Sequence, residues 1–172
     1  MKPFAVFDID GTLIRWQLFH DIVHSLGKYG HIPTDAHERI TIARSKWKRR
    51  TTTSGFATYE DVLVDEYLAA LKDVSIEDYQ LVVNDVFEKY KDQTFTYTCD
   101  LLHSLKAKGY FLLAISGSHH EIITKIAAYH GFDDAVGAKL EIVDGRFTGN
   151  IVTPVFHKDE VLKELIAKHN LS

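Results

Sequence analysis

The sequence predicts an α/β fold, a parallel sheet interrupted by an inserted helical domain, and three observations predict it. Two apolar segments without alternation, Phe4-Ala5-Val6-Phe7 and Tyr110-Phe111-Leu112-Leu113-Ala114-Ile115, read as strands covered on both faces. Helical stripes flank the second segment, so strand and helix alternate as they do in parallel sheets. Between the two segments lies a long stretch with helical stripes and no strand pattern.

Taken in order, the first strand runs into the polar loop Asp8-Ile9-Asp10-Gly11-Thr12, with Gly11 as its turn residue. The insert opens with the stripe Leu18, Phe19, Ile22, Val23 and Leu26. Pro33-Thr34-Asp35 starts a second helix reaching about Trp47; Val62, Leu63, Tyr67, Leu68 and Leu71 mark a third; Val82, Val83, Val86 and Phe87 mark a fourth. Asp35 with Glu38, and Ser75 with Asp78, have helix-start spacing, and residues 51–55 form a short polar loop. The expected division is therefore 1–15 and 96–172 for the sheet domain and 16–95 for the insert.

Leu101, Leu102 and Leu105 form a stripe before the second strand, which ends in Ser116-Gly117-Ser118. Ser118 and Glu121 stand at capping-box spacing before the stripe Ile122, Ile123, Ile126 and Ala127, a helix that stops near Gly131. Its N-terminal amides favour an anion beside Ser116. Residues 140–143 and 147–152 flank Asp144-Gly145-Arg146 as a β-hairpin, and Lys158 opens a last helix carrying Val161, Leu162, Leu165 and Ile166.

Composition narrows the function. A formal charge of -4 gives no field to draw the chain to nucleic acid or an anionic membrane, so a small-molecule partner fits better. The single cysteine, Cys99, read as a small buried apolar residue, rules out an internal disulfide framework. The N-terminus turns acidic too soon for a signal peptide, and no run approaches the roughly 20 apolar residues a membrane span needs, so the expected location is cytoplasmic.

The chemistry concentrates at the strand ends. Asp8 and Asp10, two apart, allow one carboxylate to attack an electrophile while the other handles a proton beside a cation; such a pair also serves simply to cap a helix. Magnesium relieves the repulsion between two such carboxylates and binds phosphate as well. Phe7-Asp8-Ile9-Asp10-Gly11-Thr12-Leu13 resembles the first motif of the haloacid dehalogenase (HAD) superfamily at every defining position. Ile115-Ser116-Gly117-Ser118 resembles its second motif and Lys158 its third. The hairpin at Asp144-Gly145-Arg146-Phe147-Thr148-Gly149 is similar to that of the phosphoserine-phosphatase-like branch.

The resemblance implies a Rossmann-like core with a helical cap and a phosphatase acting on a small phosphorylated metabolite. In it Asp8 is the nucleophile and Asp10 the general acid and base, Thr12 holds the loop, and Ser116, the Gly117 amide, Gly11 and Lys158 meet the phosphoryl group. It further implies Mg2+ held by Asp8 and by the main-chain carbonyl of Asp10. Two other readings of the same residues are a phosphotransferase and a catalytically silent phosphate-binding module. The superfamily's fourth motif, an acidic pair after a further strand, is not reached by Ser172. That implies a metal site with few protein ligands and a first strand left at a sheet edge, where chains can self-associate. Gln17 stands where phosphoserine phosphatases place a glutamate, so the leaving group is expected to be read by Arg15, Gln17 and Arg44, although both arginines also fit a solvated role. The run Arg44, Lys46, Lys48, Arg49 and Arg50 reads as a solvated helix end, and His119-His120 as a surface pair.

Overall fold

The computed structural model describes residues 2–50, 53–153 and 157–172. Its elements run β1 (Phe4–Phe7), α1 (Leu18–Lys28), α2 (Thr34–Lys48), α3 (Gly55–Leu71), α4 (Ile76–Tyr90), α5 (Thr96–Ala107), β2 (Phe111–His119), α6 (His120–His130), β3 (Asp134–Val143), β4 (Arg146–Thr153) and α7 (Lys158–His169). The sheet order is β1-β2-β3-β4, with β1 and β3 each parallel to β2, which is the predicted α/β class. The chain divides into two compact units: Met1–Phe19, Val83–Lys139 and Ile151–Ser172 form one, and His20–Val82 with Leu140–Asn150 the other. The helical unit and the expected 16–95 insert thus share residues 20–82. Of the loop expected at 51–55, Thr51 and Thr52 lie outside the described residues, while Gly55 is already the first residue of α3.

In the sheet unit, Leu113, Ile115, Ala138, Leu165 and Leu171 form a buried cluster, and Phe4, Phe111, Val161, Leu162 and Ile166 pack on it. The stripe read from the sequence is what seats α7 there, and Lys168 and His169 fasten its end to the Asp134 carboxylate at 2.8 and 2.6 Å. α6 buries Ile122, Ile123, Ile126 and Ala127 and ends at Gly131 in the left-handed region, as its sequence predicted. Cys99 is half-buried in α5 rather than fully buried.

Two expectations at the β2–α6 junction are corrected. Ser118 does not cap α6: β2 continues to His119, the helix starts at His120, and the residue at its cap is His119, with no side-chain cap bond. Nor is His119 at the surface, being 2% exposed with its ring edge against Phe19, while its neighbour His120 is half-buried. The cause is a register shift. Ile115 pairs with Val136 and His119 with Ala138, so β2 spends four residues where β3 spends two. Ser116, Gly117 and Ser118 are thereby pushed out of the ladder as a bulge. Gly137 lies opposite; a Cβ there would come within 2.6 Å of the Ser118 carbonyl oxygen, so only glycine admits this close approach.

The helical unit is held by Leu63, Tyr67 and Leu71 of α3 and Ile40 of α2, all buried. Trp47 stacks on Tyr59 with ring centroids 5.2 Å apart. The Ser75 and Asp78 capping signal is realised, the Asp78 N–H reaching the Ser75 hydroxyl at 3.0 Å. The hairpin turn has Asp144 and Gly145 both at positive φ, the geometry of a two-residue connection. Phe147 meets Tyr79 edge to face at 5.1 Å, which groups residues 140–150 with the helices. Lys46, Lys48, Arg49 and Arg50 are exposed as expected, but Arg44 is half-buried near His20, His24 and Tyr59. Among the described residues no helix is long and apolar enough to cross a membrane.

Candidate active site

The loop after β1 is folded onto itself by main-chain bonds. The N–H groups of Thr12, Leu13 and Ile14 all donate to the Ile9 carbonyl at 3.2, 3.0 and 2.9 Å, and Gly11, at φ 72°, donates to Ile14 and Trp16. Ile9, Leu13 and Ile14 are wholly buried anchors. Alternating with them, Asp8, Asp10 and Thr12 stay partly accessible, so the sequence pattern itself turns the polar residues toward the mouth of the loop.

Asp8 receives two donors, the Thr12 hydroxyl on Oδ2 at 2.9 Å and the Lys158 ammonium on Oδ1 at 2.6 Å. Lys158 arrives from the first turn of α7, 150 residues away in sequence, because the apolar face of that helix is fixed on the sheet. Three predicted residues are thereby brought together around one carboxylate. Lys163, the other lysine near this end of α7, pairs with Asp159 instead.

Asp10 is held separately. The Ser116 hydroxyl donates to Oδ2 at 2.5 Å and the Leu18 N–H to Oδ1 at 2.6 Å. Burial pushes its carboxyl above the ordinary aspartate range, with the charge of Asp8 adding to the effect, while hydrogen bonds from Ser116, Leu18 and Ser118 act the other way. Ser116 is wholly buried. Gly117 is exposed, and a Cβ on it would meet nothing within 4 Å, leaving open space beside its amide. Gln17 lies against the loop, its Nε2 3.6 Å from where a Gly11 Cβ would sit. The Arg15 N–H donates to the Gln93 carbonyl at 2.8 Å, and the residue is exposed.

The two carboxylates themselves offer hard oxygens, and the unfavourable charge of Asp8 at Asp10 is what a small divalent cation relieves. Among the described residues no cluster of three or more His, Cys, Asp or Glu is able to hold a metal. The two aspartates therefore fit a Mg2+ shell in part, the remainder falling to water and phosphoryl oxygens. Ser118 and His119 are the members of this neighbourhood that sequence reasoning misplaced. The signal was present in Ser118, a hydroxyl two residues beyond Ser116, but capping-box spacing offered a competing use.

Residues 5–172 match the family model of the haloacid dehalogenase-like hydrolases. The phosphoserine phosphatase of Archaeoglobus fulgidus is 25% identical, over 99% of this chain and 45% of its own length. Phosphoserine phosphatase SerB2 of Mycobacterium tuberculosis is 25% identical, over 95% of this chain and 35% of its own. The chain thus spans less than half the length of either relative. A phosphoserine phosphatase solved as an analogue of its phospho-aspartyl intermediate superposes with a TM-score of 0.63 at 21% identity, covering 99% of this chain and 74% of that one, a likeness of fold.

Proposed function

We propose that this chain, which belongs to the haloacid dehalogenase-like hydrolase family, hydrolyses a small phosphomonoester through Asp8. The observation that carries the reading is the pair of contacts on Asp8. A carboxylate fixed by Thr12 on one oxygen and by the Lys158 ammonium on the other is oriented for attack and already has beside it the cation a phosphoryl group requires. As an Asp8 oxygen bonds to phosphorus, the bond from phosphorus to the leaving oxygen breaks, and Asp10 in its acid form gives that oxygen a proton. Asp10, now a carboxylate, then takes a proton from water. The water oxygen bonds to phosphorus, the acyl phosphate opens, inorganic phosphate leaves, and both aspartates return to their starting forms.

Each neighbour has a definable task. Burial favours the acid form of Asp10 that the first step uses, and the bonds from Ser116 and Leu18 favour the carboxylate that the second step uses. Lys158, the Ser116 hydroxyl and the Gly117 amide offset charge on the phosphoryl oxygens. Mg2+ held by Asp8 and the Asp10 carbonyl supplies, when bound, further neutralisation of that charge. Gln17, which lies against the loop, and Arg15, which is exposed beside it, are the residues proposed to read the leaving group. A neutral amide at position 17 favours a leaving group other than serine, whose ammonium a carboxylate would pair with, although the relatives named above are phosphoserine phosphatases.

The test is magnesium-dependent phosphate release from a panel of phosphomonoesters, with Asp8→Asn as the control. Asp8→Asn is expected to lower turnover by about 1,000-fold or more and to abolish a hydroxylamine-labile phosphoryl group on the protein. Release that survives Asp8→Asn would dismiss Asp8 as nucleophile. Binding of phosphate without release from any ester would favour the silent module, and a new phosphoester on adding an alcohol would favour the phosphotransferase.

A further inference from the structure

The first N–H groups of a helix have no partner inside it, and something else must take them. At the start of α1 the usual local cap is replaced from a distance. The Leu18 N–H goes to the Asp10 carboxylate at 2.6 Å, and the Phe19 N–H goes to the Ser118 hydroxyl oxygen at 3.0 Å, 99 residues along the chain. Ser118 also sends its own N–H to the Ser116 oxygen at 3.0 Å, Ser116 donates to Asp10, and the Ser118 side chain hydrogen-bonds Asp10 as well. The result is a closed ring of bonds running Asp10, Ser116, Ser118, Phe19, Leu18 and back to Asp10. Ser118 is 4% exposed, and the buried ring of His119 backs Phe19 with centroids 5.0 Å apart. Only the bulge in β2 makes this possible, since it lifts the 116–118 segment out of the ladder and toward the loop.

We infer that Ser118 is a positioning residue, the member of the ring that joins α1 to the second polar loop and thereby holds the Asp10 carboxyl at one angle to the reacting centre. This rests on the reading of Asp10 as the proton-handling group. The ring restrains the rotation of Asp10: its two oxygens take donors from separate segments, α1 and the 116–118 loop, and the Ser118 hydroxyl ties those two segments to each other. Loss of the hydroxyl removes the bond between the Phe19 N–H and Ser118 and so loosens the hold of the 116–118 segment on the first turn of α1 and, through Leu18, on the Asp10 side chain.

Two readouts on the full chain decide it. In amide hydrogen exchange by NMR, Ser118→Ala is expected to speed exchange at Phe19 by about tenfold, the loss of one such bond, while the amides of Ile122 and Ile126 in α6 stay protected. In phosphate release, Ser118→Ala is expected to lower kcat about tenfold with KM within about twofold, and Ser118→Thr, which keeps the hydroxyl, to recover most of the loss. Unchanged exchange at Phe19 would overturn the inference. So would loss of protection throughout α6, or a KM effect with kcat intact, since these mark a folding or binding role. Failure of the reading of the site is told apart by Asp8→Asn: if that variant keeps phosphate release, the reaction scheme falls with the positioning role that depends on it, whatever the exchange result.

Discussion

Asp10 sits where two demands conflict. A carboxyl whose folded pKa is raised contributes stability that is complete below the unfolded pKa and is lost as pH rises through the folded one. At neutral pH a charge on Asp10 is therefore a cost to the fold, arising from burial first and from the charge of Asp8 as well. Asp10→Asn removes that charge, so the metal-free variant is expected to melt at a higher temperature than the parent at pH 7, while turnover falls about 100-fold or more. Calorimetry in the presence of a chelator checks it, and a lower melting temperature would contradict the account. At this scale the sequence was most legible where chemistry and spacing coincide. Asp8, Thr12 and Lys158 could be named before any contact was known, although the loop and the helix start that bear them lie at opposite ends of the chain. Ser118 and His119 could not, because β2 is buried on both faces and carries no alternation to mark which way a residue points.

Among the elements, the packing of α1, α2 and α3 buries titratable rings. His20 is 3% exposed, edge-on to Tyr59 at 5.2 Å, and His24 hydrogen-bonds the Tyr59 hydroxyl at 3.0 Å. Burial, then the charge of Arg44, pushes both imidazoles down to about 4, outweighing Glu60, whose carboxylate is 3.9 Å from His20. The unfolded chain takes up these protons near pH 6.5 and the folded chain does not, so stability falls as pH drops from about 6.5 toward 4. For His20 alone the loss between pH 7 and pH 5 is on the order of 2 kcal/mol. Urea titrations across this range should show a steep acid limb that His20→Phe flattens; a limb of the same slope in the variant would remove His20 as its cause. The same elements show why some structure was readable and some was not. The helices of the insert announced themselves through apolar stripes, and the hairpin through Asp144-Gly145. The first half of β3, which pairs with β2 from Asp134 onward, did not, since Ala135, Gly137 and Ala138 are too small to give a strand signal.

For the molecule as a whole, the edge strand matters most. β1 is hydrogen-bonded to β2 on one side, while just before it, among the described residues, an isolated parallel bridge joins Lys2 to Leu171, with the Ser172 N–H on the Lys2 carbonyl at 3.2 Å. Val6 is 42% exposed in the middle of this apolar strand. Such an edge offers unpaired main-chain groups to another chain. The 172-residue protein is expected to self-associate with rising concentration in light scattering, and Val6→Lys to suppress the association; a parent that stays monomeric throughout would show the edge to be harmless. The register of this strand also has a consequence for synthesis. Phe4 pairs with Phe111, so the first strand leaves the ribosome and then waits while the entire helical insert is made. At about 5–20 residues per second that wait is on the order of 5–20 s, long compared with the time helices need to form. The helices of residues 20–82 therefore have time to form while β1 is still without its partner, and Asp8 gains the Lys158 ammonium only after residue 158 has been made.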